Sequence, residues 1–417
     1  MKRSFMKNWI FPLFFLFQSC FSFTYAQSFT RIDSTIQSAI SQYDIAGAVA
    51  LIAKNGQIIY HQSYGFSNLA NQELMKKDAI FRIASQTKAI VSVAVLQLVQ
   101  KGQLQLDDPI EQYFPSFRNQ KVYQYKAGQL SIIERARPIT IRDLLSHQSG
   151  ISSADEFPYL KKEFEKFHLG NFGTNQFKNL AEEIEQIAKM PLAHQPGERF
   201  SYGLSTNVLG GLIELISKES LATYLEKNIF KPLKMKDTYF YLPLKKHNRL
   251  VEVYTKQANR LVPVDRLVVP VDYPFAQNQH YFSAIGGLVS TTKDYFLFLN
   301  NLLNPSANKK GFRLLDSATY NSLITNQLGD KTFIFGGFPS PNQFGLGVGL
   351  TSMKGQSTNK ASIGSYFWGG AFNTAYMVDP KRNLITLFYF QRAPFTLPPL
   401  LSKLEKTTIE IIDDTNY

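Results

Sequence analysis

Phe81-Arg82-Ile83-Ala84-Ser85-Gln86-Thr87-Lys88, running on through Ala89 to Val99, is the stretch that decides how this chain reads. A phenylalanine-led apolar run turns into a helix whose first turn holds Ser85-x-x-Lys88. Three helical residues turn about 300° and rise about 4.5 Å, which sets the Ser85 hydroxyl and the Lys88 amine on one face. A hydroxyl is a poor nucleophile at neutral pH until a base takes its proton. A lysine desolvated against apolar neighbours has a lowered pKa and suits that task. The spacing alone is unspecific, since Ser4-Lys7, Ser290-Lys293, Ser306-Lys309 and Ser357-Lys360 share it. The plain alternative makes Ser85 a helix N-cap and Lys88 a solvated first-turn residue. Partners elsewhere in the chain have to decide.

Outward from this helix, the elements fall into a pattern. Ala48 to Ala53 reads as a buried strand and Gln57 to Ser63 as its partner, joined by Asn55-Gly56, the strongest short hairpin signal. The Ser85 helix stops at Lys101-Gly102. Gln103 to His280 reads as mostly helical and irregular, with a short helix capped by Thr140 and Asp143 and a surface excursion over Phe164 to Asn179. Strand signals return in Gly345 to Leu350, in Ala371 to Val378 and in Leu384 to Phe390, and Leu400 to Ile412 closes as a helix. Strands near both ends and helices between them imply an α/β (α+β) fold. One antiparallel sheet is expected from 27–102 and 281–417, flanked by helices, with 103–280 as a mostly helical insert.

Residues 1–26 read as an export leader. Lys2, Arg3 and Lys7 form a basic start, Trp9 to Phe23 is largely apolar, and Thr24-Tyr25-Ala26 offers a cleavage site before Gln27. Cys20 raises a lipoprotein alternative, against which Phe17-Gln18-Ser19 argues as a poor lipid-attachment context. The expected place is the bacterial periplasm or the exterior, with no membrane span after cleavage. Cys20 is the only cysteine, so the mature chain would have no disulfide, thiolate metal site or cysteine nucleophile. The formal charge is +13, and it falls to +10 when the three leader cations go. The remaining basic residues are scattered without a tract, which reads as a solvated surface and not as nucleic-acid binding.

Two further motifs carry chemistry. Pro196-Gly197-Glu198-Arg199-Phe200-Ser201-Tyr202-Gly203-Leu204 puts Tyr202 on a turn before a helix expected to be capped by Ser205 or Thr206, where a phenol can pass protons. Tyr366-Phe367-Trp368-Gly369-Gly370-Ala371 enters a late strand, and its two glycines would let a substrate lie against the backbone. The six histidines show no metal-ligand spacing, and no Gly-x-Ser-x-Gly elbow exists. His147 reads as a structural residue. Ser290 to Asp294 reads as a capping box.

Ser85-x-x-Lys88, Tyr202 and Trp368-Gly369-Gly370, in this order, resemble the serine β-lactamase and penicillin-binding-protein-like hydrolases, in particular the branch with class C β-lactamases and family VIII carboxylesterases. Ile139 to Gly150, Gly286 to Thr291 and Val378-Asp379-Pro380 extend the resemblance over nearly the whole mature chain. It implies a β-lactamase/transpeptidase-like fold with Ser85 as nucleophile, Lys88 and Tyr202 sharing the proton work, and the N–H groups of Ser85 and Ala371 as oxyanion hole. It places Leu204, Trp368, Gly369 and Gly370 along the substrate, and it implies no metal and no organic cofactor.

Two departures bear on the substrate. Leu204 stands where the family has an Asn that holds the acyl-side amide, and Trp368 stands where a Lys helps fix a carboxylate. The resemblance thus points to an exported serine hydrolase of esters or amides, carboxylesterase-like, acting on a small molecule that could be cell-wall-derived. A β-lactamase or peptidoglycan DD-peptidase is the alternative, with Arg392 or Lys360 as a substitute cation. A non-catalytic envelope-binding protein of the same fold is the alternative from another class.

Overall fold

Helix α1 (Thr30–Ser41) leads into β1 (Gly47–Lys54), which turns through Asn55-Gly56 into β2 (Gln57–Asn68) and a short β3 (Glu73–Leu74). Both turn residues have positive φ, +52° and +75°, the backbone whose twist matches the strands it joins. The computed structural model describes residues 29–415 except 127, 154–156, 170–176, 265–273, 276–279, 306–310 and 336–337. The leader expected over 1–26, with Cys20, lies outside the described residues.

Four helices matter for the site: α2 (Thr87–Gln100), α3 (Leu180–Lys189), α4 (Ser205–Ser217) and α5 (Thr292–Leu303). The rest of the sheet then follows as β4 (Gln343–Phe344), β5 (Gly349–Leu350), β6 (Tyr366–Gly370), β7 (Thr374–Asp379) and β8 (Leu384–Tyr389), before helix α6 (Pro398–Asp414). The strand order is β4-β5-β6-β7-β8-β1-β2-β3, and the neighbouring pairs are antiparallel. The two ends of the chain meet where β1 pairs with β8, from Val49↔Tyr389 to Lys54↔Leu384.

Both faces of the central strands are covered, which is why they read as continuous apolar runs. Val49, Leu51 and Ala53 face the main core with Tyr376, Ile385 and Leu387. Ala48, Ala50 and Ile52 face the other way and meet Ile32 and Ile36 of α1 and Leu404 and Ile411 of α6. This is the period-two division of a pleated strand. Helix α2 is buried from Thr87 through Leu98, so it runs through the core with no polar face.

Some local expectations change. Gly345 to Leu350 is not one strand: Gly345 N–H bonds Val348 O at 2.8 Å in a bend between β4 and β5. Gly347 has φ +91°, and a Cβ there would lie 2.0 Å from Ser92 Oγ of α2, so its close approach is to a helix and not to a ligand. Of the excursion expected over Phe164 to Asn179, residues 170–176 lie outside the described residues, and Phe164, Leu169 and Phe177 are buried in the main core. The segment 103–280, expected to be mostly helical, also carries two hairpins, Val122–Lys126 with Gln129–Ile133 and Tyr254–Gln257 with Arg260–Pro263.

Thr140 makes the full reciprocal capping box with Asp143. At Thr291 only half of the box forms. Its hydroxyl accepts Asp294 N–H at 3.0 Å, but the Asp294 carboxylate accepts from Asp237 N–H at 2.6 Å and the Thr238 hydroxyl at 3.1 Å instead. Among the described residues no helix is long and apolar enough to cross a membrane.

Candidate active site

Ser85 sits in a single 3-10 turn, Ala84–Gln86, that opens α2, and no side chain caps that helix. The N-cap alternative therefore fails. Ala84 has φ +44°, a left-handed backbone that costs an alanine roughly 1–3 kcal/mol and persists only where the surroundings impose it. Those surroundings are visible. Gln391 clamps Arg82 at both its N–H and its C=O, each at 3.1 Å. Ile83 N–H donates to Leu288 O at 3.2 Å. Gln86 accepts from Tyr295 at its backbone carbonyl, 2.9 Å, and from Tyr389 at its side-chain oxygen, 2.6 Å.

Lys88 is 2% exposed. Its Nζ lies 3.3 Å from Ser85 Oγ and 2.7 Å from Ile285 O, and 4.5 Å from the centroid of the Tyr202 ring. Burial pushes its pKa well below the usual lysine range. Tyr202 stands just before α4. Burial pushes its phenol up to about 12, against the pull of hydrogen bonds with the Ser85 and Trp368 side chains. The phenol therefore keeps its proton at neutral pH, beside the Lys88 amine.

Trp368 is 7% exposed and lies on β6 opposite Tyr376. Its ring is 5.6 Å from Tyr202, is stacked on Phe333 at 6.2 Å, and meets Phe335 at 5.5 Å and Phe344 at 5.3 Å edge-on. Four rings thus surround it. His147 packs against Tyr202 at 4.8 Å and is 1% exposed. Burial pushes it down to about 3, which suits a neutral packing residue.

The structure brings Ser85, Lys88, Tyr202 and Trp368 together. Leu204 it places in the main core, 4% exposed, at the end of the Tyr202 turn. The expected cap by Ser205 or Thr206 is absent; Leu204 holds the N-cap position without a side-chain bond, and Ser205 Oγ faces Ser149 Oγ at 2.8 Å. Ala371 follows the last residue of β6, half-buried, in the tight turn to β7. Of the two proposed substitute cations, Lys360 pairs with Glu410 at 2.9 Å, and Arg392 donates to the backbone Asp44 O at 3.2 Å. Among the described residues no group of His, Cys, Asp or Glu is arranged to hold a metal ion.

The two glycines of β6 differ. A Cβ on Gly370 would lie 2.4 Å from Ile83 O and 2.5 Å from Thr374 Oγ1, whereas on Gly369 the nearest atom is Thr374 O at 3.2 Å. Gly370 is there to let the strand touch the backbone that leads to Ser85; Gly369 keeps the more open side. Gly370→Ala should therefore destabilise the fold by about 1–3 kcal/mol, since neither backbone can yield, and Gly369→Ala by less. Thermal melts of the two variants check this, and equal melts would contradict it.

Sequence reasoning missed the aromatic box and the groups behind Lys88. Phe333-Ile334-Phe335 followed by Gly336-Gly337 carries a hairpin signal in the sequence that could have found the first. No local pattern marks Ile285, Asn207 or Glu183.

A family model described as Beta-lactamase matches residues 32–401. The chain is 29% identical over 360 residues to Protein Rv1367c of Mycobacterium tuberculosis, covering 84% of this chain and 86% of that one. It is 30% identical over 228 residues to Esterase EstB of Burkholderia gladioli, covering 53% and 54%. The solved structure of EstCE1, a hydrolase with promiscuous acyltransferase activity, superposes with a TM-score of 0.78 at 20% identity, over 93% of this chain and 99% of that one. At that identity the likeness establishes the fold.

Proposed function

Since the chain belongs to the Beta-lactamase family, we propose that it is an exported serine hydrolase that forms an acyl-enzyme on esters of uncharged acids. The observation that carries this is the trio of buried Ser85 and Lys88 with half-buried Tyr202 beside an aromatic box. The names of the relatives, an esterase and a hydrolase with acyltransferase activity, agree with it.

In this reading, neutral Lys88 takes the Ser85 proton as Oγ attacks the ester carbonyl carbon. The N–H groups of Ser85 and Ala371 receive the oxyanion. The Tyr202 phenol gives its proton to the departing alkoxide and recovers one from the Lys88 ammonium, so the C–O bond breaks to release a neutral alcohol. Water, or an alcohol acceptor, then attacks the acyl-enzyme by the reverse route. The phenol held near 12 supports Lys88 as the base for acylation. Trp368 and Gly369 border the substrate, a small molecule, while Leu204 and Gly370, expected beside it, serve the packing behind the site. Trp368 and its rings favour an apolar acyl group.

Short and long p-nitrophenyl esters, nitrocefin and a D-Ala-D-Ala peptide form the test, with fluorophosphonate labelling of Ser85. Ester turnover with labelling is expected. Nitrocefin or peptide turnover exceeding that of every ester would replace this reading by the β-lactamase or peptidase one, and neither turnover nor labelling would favour a binding protein. Export predicts a mature chain beginning at Gln27, which N-terminal sequencing checks.

A further inference from the structure

Lys88 has one short hydrogen bond, 2.7 Å to the carbonyl of Ile285. Ile285 lies in a turn, not in a helix or strand, so something has to hold that carbonyl in place. Its own N–H is held: it donates to Asn207 Oδ1 at 3.0 Å. Asn207 Nδ2 in turn donates to Glu183 Oε2 at 2.8 Å, and the same oxygen accepts the Tyr281 hydroxyl at 2.9 Å. Glu183 comes from α3, Asn207 from α4, and Tyr281 from the segment that carries Ile285 itself. Glu183 is 3% exposed and Asn207 is fully buried.

We propose that Glu183 is a positioning residue for Lys88, acting through Asn207 to clamp Ile285 so that its carbonyl fixes the amine beside Ser85 Oγ. A carboxyl group in this place is costly: burial lifts it to about 7 in spite of its two donors. An apolar side chain would fill the space more cheaply, but it could not orient Asn207. Glu183 Oε2 accepts from both donors, so it draws the Asn207 NH2 toward itself and leaves Oδ1 for the Ile285 N–H. With the amide turned over, two donors would face each other and the Ile285 turn would be released. Tyr281 ties the start of that same segment to the same oxygen, so one carboxyl group holds the segment at two points.

The inference rests on the proposal that Lys88 takes the Ser85 proton, and it is tested on the full-length protein with p-nitrophenyl butyrate. Glu183→Leu removes the acceptor at similar volume. It is expected to lower kcat about tenfold or more and to leave KM within about twofold, because a small displacement of the base costs rate rather than binding. The acid limb of the kcat/KM profile should move to lower pH, since Lys88 loses an acceptor that favours its charged form. Glu183→Gln retains an oxygen acceptor for Asn207 and should return kcat to within about threefold of the parent.

A purely structural role would lower the melting temperature of Glu183→Leu but leave kcat and the acid limb where they were, and that result overturns the proposal. If Glu183→Leu does not fold, Tyr281→Phe decides. That variant removes only a hydroxyl and should lower kcat by about two- to fivefold at constant KM; an unchanged kcat sinks the clamp. A parent protein that neither turns over the ester nor takes a fluorophosphonate label would instead remove the hydrolase reading itself.

Discussion

Ser85→Ala is expected to reduce ester turnover by roughly 10⁴-fold or more and to end fluorophosphonate labelling, because no neighbouring group can replace a covalent nucleophile. The fold should survive. Lys88 keeps its 2.7 Å bond to Ile285 O, and only a small hydroxyl is lost, so the change in stability should stay within about 1 kcal/mol. Ser290→Ala is the matched control, since Ser290-Lys293 has the same spacing. Its hydroxyl bonds Thr238 Oγ1 at 2.8 Å in a fully buried position, and its loss should cost about 1–2 kcal/mol of stability with turnover unchanged. Folded Ser85→Ala protein with parental turnover would remove Ser85 from the mechanism.

Trp368→Lys should move specificity and stability together. The resemblance implies a lysine at this strand position where a carboxylate is bound, and here an indole enclosed by Tyr202, Phe333, Phe335 and Phe344 occupies it. Truncating a buried Trp costs about 3–5 kcal/mol, and a lysine stem with its ammonium over aromatic faces recovers about 1–2 of this. The variant should therefore be less stable by about 1–4 kcal/mol, to which the desolvation of the new ammonium adds. The new charge beside Lys88 also pushes that amine further toward its neutral form. The ratio of kcat/KM for p-nitrophenyl butyrate to that for nitrocefin should fall by about tenfold or more. The idea is falsified if the parent already prefers nitrocefin, or if the folded variant keeps the parental ratio.

How much of this was legible differs from element to element. Asn55-Gly56 specified its hairpin because both residues accept positive φ, and no distant contact was needed. Thr140 specified its capping box because donor and acceptor are three residues apart. The same pattern at Thr291 was half wrong, since Asp237 and Thr238, remote in the chain, compete for the Asp294 carboxylate. The glycines of Gly345 to Leu350 suggested a strand, but Gly347 answers to Ser92 of α2, which no window of neighbouring residues contains.

For the site, the sequence by itself determined that Ser85 and Lys88 stand three residues apart where an apolar run opens into a helix, and that Tyr202 and Trp368 stand at the edges of other elements. These follow from helix geometry and side-chain chemistry, which are local. The structure puts Ser85 in the 3-10 turn just before that helix. Only the tertiary structure decided that this Ser-x-x-Lys is the one beside a buried phenol, with Lys88 2% exposed. It alone made Trp368 the centre of an aromatic box, and it alone put Ile285, Asn207 and Glu183 behind the amine. Desolvation and the hydrogen bonds of a buried base come from groups brought near by packing, and their separation along the chain carries no periodicity from which they could be read.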